Sequence, residues 1–289
     1  MKNQLSHIKK VFHHLDMDQP FSVIGGQLND CRNFVYGDSH YSPQLVIILS
    51  GQQEVYYPDY RDIYDAGQIW WTSCWEPHVH RITSDRLCYV AVTIALEAIG
   101  SFTPFQEIDW LQPFFLPPAK RPKTKDDDLR NEIIRLGNEI LQLENNKPFA
   151  FQTLQWLKIH EVILHGSSML QHTSRTGILS RHSDIARIAP AIQLVKSKLD
   201  QVISLEQAAS SCSLSKSRFS DVFTKTMNVG FSNFAQRMRI SAAAQMLQNS
   251  NLPIKKVAVR CGFRNISHFY HIFKENFKCT PAEFSNRRH

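Results

Sequence analysis

Two stretches near the end of the chain read as copies of one another, and that repeat constrains the fold more than any other feature. LEQAASSCSLSKSRFSDVFTKTMN (205–228) aligns with IKKVAVRCGFRNISHFYHIFKENFK (254–278). At an offset of 49, Leu205 meets Ile254, Ala209 meets Ala258, Cys212 meets Cys261 and Leu214 meets Phe263. One extra residue then shifts the offset to 50, and Phe219 meets Phe269, Phe223 meets Phe273 and Met227 meets Phe277. A solenoid needs about three repeats or more, so two copies point instead to a duplicated small helical unit.

Each copy reads as helix, tight turn, helix. In the first, Ser204 is an N-cap and Leu205, Ala208, Ala209 and Cys212 share one face at helical spacing. Ser213, Leu214 and Ser215 form the turn, with Ser215 capping a helix whose buried stripe is Phe219, Val222, Phe223 and Thr226 or Met227. In the second, Pro253 suits the first helical position and Gly262 supplies a positive-φ turn. Val257, Ala258 and Cys261 face inward, and the following helix is expected to bury Ile266, Phe269, Ile272 and Phe273. This is helix-turn-helix grammar, in which the second helix lies in the DNA major groove. The intervening FSNFAQRMRISAAAQMLQ (231–248) is helix-forming and acts as a rigid spacer. Held about 34 Å apart, both second helices enter successive major grooves on one face of a duplex.

Charge agrees with that reading. The chain of 289 residues carries a formal net charge of +7, but residues 187–289 hold 16 Lys and Arg against 5 Asp and Glu, a net of +11. The preceding 186 residues hold 17 against 21, a net of −4. So uneven a split suits a basic part that meets a polyanion. The N-terminal MKNQLSHIKKVFHHLD has no apolar stretch of signal-peptide length, and the apolar run 89–99 is too short to span a membrane. Cys31, Cys74, Cys88, Cys212, Cys261 and Cys279 include no CxxC pair, so neither a disulfide framework nor a zinc ribbon is expected. These features describe a protein of the reducing cytoplasm with no membrane partner.

The last hundred residues resemble the DNA-binding domain of the AraC/XylS family of bacterial transcription regulators. The elements that carry the resemblance are SLEQAA, the turn into SKSRFSDVF, the RMRISAAAQML spacer, KKVAVRCGF followed by Asn265 and SHFYHIFK, and the closing TPAEF. Asn228 and Lys278 depart from it, standing where the family usually has glycine after each second helix. The resemblance implies double-stranded promoter DNA as partner, with RNA polymerase as a protein partner, and base-facing sites at Ser217, Ser220 and Asp221, then Ile266, Ser267, Tyr270 and His271. The residues themselves offer Ser217, Arg218, Ser220, Asp221 and Lys225 on the solvent face of the first reading helix. The second offers Asn265, Ser267, His268, Tyr270, His271 and Lys274. Arg218 suits guanine, Asp221 suits cytosine N4 or a neighbouring Arg, and Ile266 and Tyr270 offer apolar contact to thymine methyls. Lys216, Arg237, Arg239, Lys255, Lys256 and Lys274 are expected at phosphates, which set register without reading sequence. Core packing for Ile266, and a local pair with Lys225 for Asp221, are the competing readings.

From about Phe21 to Ile99 the pattern changes to β. QLVIILSG, QEVYY, QIWWTSCW and LCYVAVTIAL are rich in β-branched and aromatic residues, with turn signals at Gly51, Pro58–Asp59, Ala66–Gly67, Glu76–Pro77 and Ser84–Asp85. Short, evenly spaced strands indicate a small barrel or jelly roll. The arrangement is similar to the cupin-like sensing domain that precedes the DNA-binding domain in many members of the same family, with DAGQIWWTSCWEPHVHR as the matching segment. His40, Arg61, Trp71, Trp75, His78 and His80 form the candidate ligand site, since aromatic walls with convergent polar groups suit a small-molecule effector such as a carbohydrate. Filling of the barrel by these aromatics is the alternative. His78 and His80 share a strand face, but His-x-His followed closely by Glu is absent, with Asp85 the nearest acid. Two further ligands cannot be placed, so no metal and no cofactor is assigned.

After a proline-rich hinge (Pro113, Pro117, Pro118, Pro122), Leu129, Ile133, Leu136, Ile140 and Leu143 recur at 4, 3, 4, 3 spacing. That is a short seam suited to a homodimer, with packing on the chain's own barrel as the alternative. A second helix is expected over about 151–170. The expected fold class is therefore α+β multidomain, with a cupin-like β-barrel or jelly roll at 1–125, a helical dimerisation segment at 126–171, a linker at 172–186 and an all-α domain with two helix-turn-helix units at 187–289. The function read from these parts is a sequence-specific, ligand-modulated transcription regulator and not an enzyme, with a cupin-type metalloenzyme bearing a DNA-binding appendage as the alternative.

Overall fold

The computed structural model describes residues 9–10, 15, 18–99, 108–170, 178–227, 229–277 and 279–286. The chain divides into two compact units, one of residues 1–9 and 13–182 and the other of residues 10–12 and 183–289. Among the described residues the first unit carries β1 (Lys9–Lys10), β2 (Phe21–Leu28), β3 (Val35–Ser39), β4 (Gln44–Ser50), β5 (Gln52–Tyr56), β6 (Arg61–Asp65), β7 (Ile69–Thr72), β8 (His78–Ile82) and β9 (Leu87–Ile94). These form a five-stranded sheet, β1-β3-β8-β5-β6, and a four-stranded sheet, β2-β9-β4-β7. The core between the sheets is built from Val46, Ile48, Val55, Tyr57, Trp70 and Ile82. Gly51 and Gly67 turn the chain at φ of 85° and 77°, where a side chain would be strained.

Three helices follow in the same unit: α1 (Gln112–Phe115), α2 (Asp127–Asn146) and α3 (Phe151–Ser168). Asp126 caps α2 by accepting from the Leu129 N–H at 2.9 Å, and Asp127 and Asp128 complement the positive end of its dipole. They cover the outer face of the four-stranded sheet, which is why β4 reads as a continuous apolar run: Leu45 and Ile47 face the helices while Val46 and Ile48 face the core. At Gly137 of α2 a Cβ would lie 2.6 Å from Leu49 and 3.2 Å from Ile47, so the helix lies directly on the strand. Ile133, Leu136 and Ile140 are fully buried. The apolar seam expected to make a dimer is therefore spent on the chain's own sheet, and α2 and α3 belong to the first unit.

The second unit is helical: α4 (Ile178–Ser197), α5 (Leu205–Ser211), α6 (Lys216–Met227), α7 (Phe231–Asn249), α8 (Ile254–Arg260), α9 (Ile266–Phe277) and α10 (Pro281–Ser285). Helix α4 begins inside the stretch expected as a linker and buries Ile188, Ala191, Ile192 and Val195 despite Pro190 in its interior. Helix α7 is more than a spacer. Phe231 and Phe234 at its start pack edge-on against Phe219 and Phe223, while Ala243 and Leu247 near its end pack with Val257, Phe269 and Phe273. One helix thus serves as the core of both repeat copies. Asn228 and Lys278 lie outside the described residues. Among those described, no helix is long and apolar enough to cross a membrane, and none of the six cysteines forms a disulfide.

Candidate DNA-reading helices and the histidine cluster of the barrel

The turns of the two copies are closed by matching hydrogen bonds. In α5 the Leu214 N–H donates to Ala209 O at 3.0 Å and Ser213 N–H to Ser210 O at 3.0 Å. In α8 the Phe263 N–H donates to Ala258 O at 2.9 Å and Gly262 N–H to Val259 O at 3.0 Å, at the same offset of 49. Ser213 and Gly262 both take positive φ, 54° and 75°, to reverse the chain. Ser215 Oγ then accepts from Arg218 N–H at 3.3 Å, and Asn265 Oδ1 accepts from His268 N–H at 3.0 Å, now at an offset of 50. A full capping box at Ser204 and Gln207 starts α5.

With the apolar stripes turned inward, α6 and α9 each leave a polar face exposed. Ser217, Arg218, Asp221 and Lys225 are exposed on α6, with Ser220 half-buried. Ser267, His268, Tyr270, His271 and Lys274 are exposed on α9. Ile266 was expected in the buried stripe, yet it is 38% exposed, because it is the first residue of α9, one turn ahead of Phe269. Asn265 has its amide oxygen committed to the helix cap. Arg239 is half-buried on α7: its Nε donates to Ala235 O at 3.3 Å, its guanidinium stands 5.6 Å from the Phe263 ring centroid, and burial lowers its pKa. Its packing on Phe263 leaves it a scaffold role beside any phosphate contact. Arg237 is also half-buried, whereas Lys216, Lys255 and Lys256 are exposed. Exposed Arg264, in the turn ahead of α9, adds a cation that motif matching passed over.

In the barrel the register brings together a cluster only partly visible beforehand. β3 pairs antiparallel with β8 so that Asp38 lies opposite His78 and Tyr36 opposite His80. Period-two alternation puts all four side chains on one face, toward Trp70. His78 Nε2 lies 2.7 Å from Asp38 Oδ1, and His40 Nε2 lies 3.9 Å from the same oxygen. Burial alone would raise the Asp38 pKa, but the hydrogen bond and charge of His78 outweigh it and hold the carboxyl down to about 2. Burial opposes charge on His78, and Asp38 reverses that, raising its pKa. His80 is pushed down to about 4 by burial and by its neighbour His78.

The other candidate ligand residues lie elsewhere. Trp75, at φ 58°, donates its N–H to His40 O at 2.7 Å and tilts its ring on Tyr41. Trp71 points out of the opposite sheet face, edge-on to Phe114 at 5.0 Å with its indole N–H on Pro122 O. Arg61 is exposed on the outer face of the five-stranded sheet, 3.6 Å from Glu54. A pocket of about 600 Å³ lies instead between β6 and the strap of residues 118–126. There Lys123 reaches Asp62 at 2.9 Å and sits 4.9 Å over the Tyr64 ring.

The second unit is basic and holds two helix-turn-helix copies, and the first is a two-sheet β fold carrying its own helices. Comparison with known proteins agrees. Residues 208–287 match the family model described as a helix-turn-helix domain. The HTH-type transcriptional activator RhaR of Mannheimia succiniciproducens is 26% identical over 106 residues, covering 37% of this chain and 38% of that protein. The xylose operon regulatory protein of Haemophilus influenzae is 28% identical over 97 residues, covering 34% of this chain and 25% of that protein. The chain thus spans well under half the length of these relatives. Crystal structures of ToxT from Vibrio cholerae match at 14% identity: one covers 92% of this chain and 97% of ToxT with a TM-score of 0.57. A second, with unsaturated fatty acid bound to ToxT, covers 94% and 96% with a TM-score of 0.59. Residues 208–287 are thus a helix-turn-helix domain, and the fold of the chain is similar to that of ToxT.

Proposed function

We propose that the chain is a sequence-specific, DNA-binding transcription regulator of the cytoplasm, acting at promoters with RNA polymerase as a protein partner. The observation that carries this reading is the duplication itself: two helix-turn-helix copies closed by the same hydrogen bonds, each presenting an exposed polar face. Arg218 and Asp221 on α6, and Ser267, Tyr270 and His271 on α9, are the proposed base readers, while Lys216, Lys255 and Lys256 hold phosphates.

The N-terminal unit binds a small-molecule effector in this proposal. Its pocket of about 600 Å³ is of ligand size and combines aromatic rings (Tyr60, Tyr64) with a charged pair (Asp62, Lys123), a lining that suits a polar molecule such as a carbohydrate. Met169 and Leu170, at the end of α3, also line it, and the chain runs on from there to the DNA-reading unit. A homodimer is proposed through α3, whose Leu154, Leu157 and Leu164 are 40%, 53% and 43% exposed along one side of the helix. The metalloenzyme alternative finds no support among these relatives, which are named as regulators.

Selection of bound sequences from random duplexes by the full chain, at near-physiological salt, tests the proposal. An enriched motif with two informative blocks about one helical turn apart is expected. Binding with no enriched motif, and with a steep salt dependence, would instead mean that phosphate contacts alone hold the DNA.

A further inference from the structure

The barrel cluster has a geometry that neither sequence recognition nor DNA reading uses. Asp38, His40 and His78 each bring one ligand-type atom to within 4.8 Å of the other two, and all three residues are buried. Their orientation is set from outside the cluster. His40 Nδ1 lies 2.6 Å from Ser42 O and His78 Nδ1 lies 3.0 Å from Glu76 O. A carbonyl oxygen only accepts, so each Nδ1 carries the hydrogen and donates. In the neutral ring this leaves Nε2 with its lone pair, and both Nε2 atoms face the Asp38 carboxylate. Backbone carbonyls that fix the far nitrogen are how metal-binding imidazoles are held in tautomer and orientation. Two imidazole nitrogens and a carboxylate thus converge in a buried space, where the proton shared by His78 and Asp38 holds a place that a metal ion can take.

We propose that Asp38, His40 and His78 bind one divalent transition-metal ion of the zinc class. Two imidazoles and a carboxylate suit zinc, iron, cobalt or nickel, and the wholly oxygen-liganded calcium and magnesium sites are a poor match. Three protein ligands leave a coordination position open. His80, whose Nδ1 is buried without a hydrogen-bond partner, lies on the same face of β8 as His78. Tyr36 and His80, both half-buried, mark the side by which an ion enters. Binding displaces the proton shared by His78 and Asp38, so the bound ion replaces their ion pair. The site joins β3, and the His40 loop that follows it, to β8.

The test uses the full chain, stripped of metal with a chelator and dialysed. Zinc content after equilibrium dialysis is read by elemental analysis, and cobalt(II) binding by its visible absorption. One equivalent per chain, competition between the two ions and a higher thermal midpoint with zinc are expected. Asp38→Asn, His40→Gln and His78→Gln should each weaken binding by about tenfold or more. His165→Gln should leave one equivalent bound, although His165 lies with Glu132 and Glu161 in a second, more exposed group with ligand-type spacing. No retained metal in the wild-type chain would overturn the proposal without recourse to any variant. So would an unchanged equivalent in folded Asp38→Asn and His78→Gln chains, or its loss with His165→Gln. None of these readouts involves DNA, so failure here leaves the DNA-reading proposal standing, and the reverse also holds.

Discussion

The two helix-turn-helix copies share a skeleton and differ in what they present. Leu214 and Phe263 close their turns with the same hydrogen bond, and Ser215 and Asn265 cap their second helices at the same place. Yet the first copy exposes Ser217, Arg218 and Asp221, a charged and hydroxylic face, where the second exposes Ile266, Ser267, Tyr270 and His271, an apolar and aromatic one. The turns differ too. Gly262 takes its positive φ at little cost, whereas Ser213 holds a left-handed conformation that costs a residue with a Cβ roughly 1 kcal/mol. Duplication has kept the positions that close the unit and changed those that face outward, as expected of one scaffold serving two different readings.

Four perturbations break or sharpen that comparison. The largest effect should come from the shared core: Phe219→Ala and Phe273→Ala each remove a fully buried ring and should cost about 3–5 kcal/mol in urea unfolding, with similar values for the two copies. Next, Arg218→Ala and His271→Ala should each lose about 1–3 kcal/mol of base discrimination, at different blocks of the bound site. Titration against single-base variants of a selected duplex reads this directly. Gly262→Ala should cost about 1–2 kcal/mol in thermal stability, because φ is 75° and the new Cβ would lie 2.9 Å from Leu199 O. The smallest effect has the opposite sign: Ser213→Gly should stabilise by roughly 0.5–1 kcal/mol, since it relieves a strain that the second copy never carried.

The sequence made the helical unit legible because its signals are local. Caps at Ser204 and Ser215, a glycine turn at Gly262 and phenylalanines at helical spacing each act within a few residues. Ile266 was misplaced because periodicity continues a stripe past the point where the helix begins. In the barrel, β4, β5, β7 and β9 stand out as apolar runs. β2, β3 and β6, with Gly25, Gly26 and Gly37 or alternating charges, do not. Asp38 carries no local signal for a different reason. No acid follows His80 closely in sequence, and Asp38 reaches His78 through strand register from forty positions away, which is a tertiary property. The seam of α2 shows the same limit. Its spacing marks a buried face correctly, but spacing carries no information on whether that face meets a second chain or the chain's own sheet.

The central claim, one scaffold with two separate reading faces, is tested most directly by repeating the random-duplex selection with paired variants. Full-length wild type is compared with one chain carrying Arg218→Ala and Asp221→Ala, and with another carrying Tyr270→Ala and His271→Ala. The account predicts that each variant blurs one block of the wild-type motif and leaves the other, one turn away, at full information. Loss of both blocks in either variant, or no change in either, would contradict it.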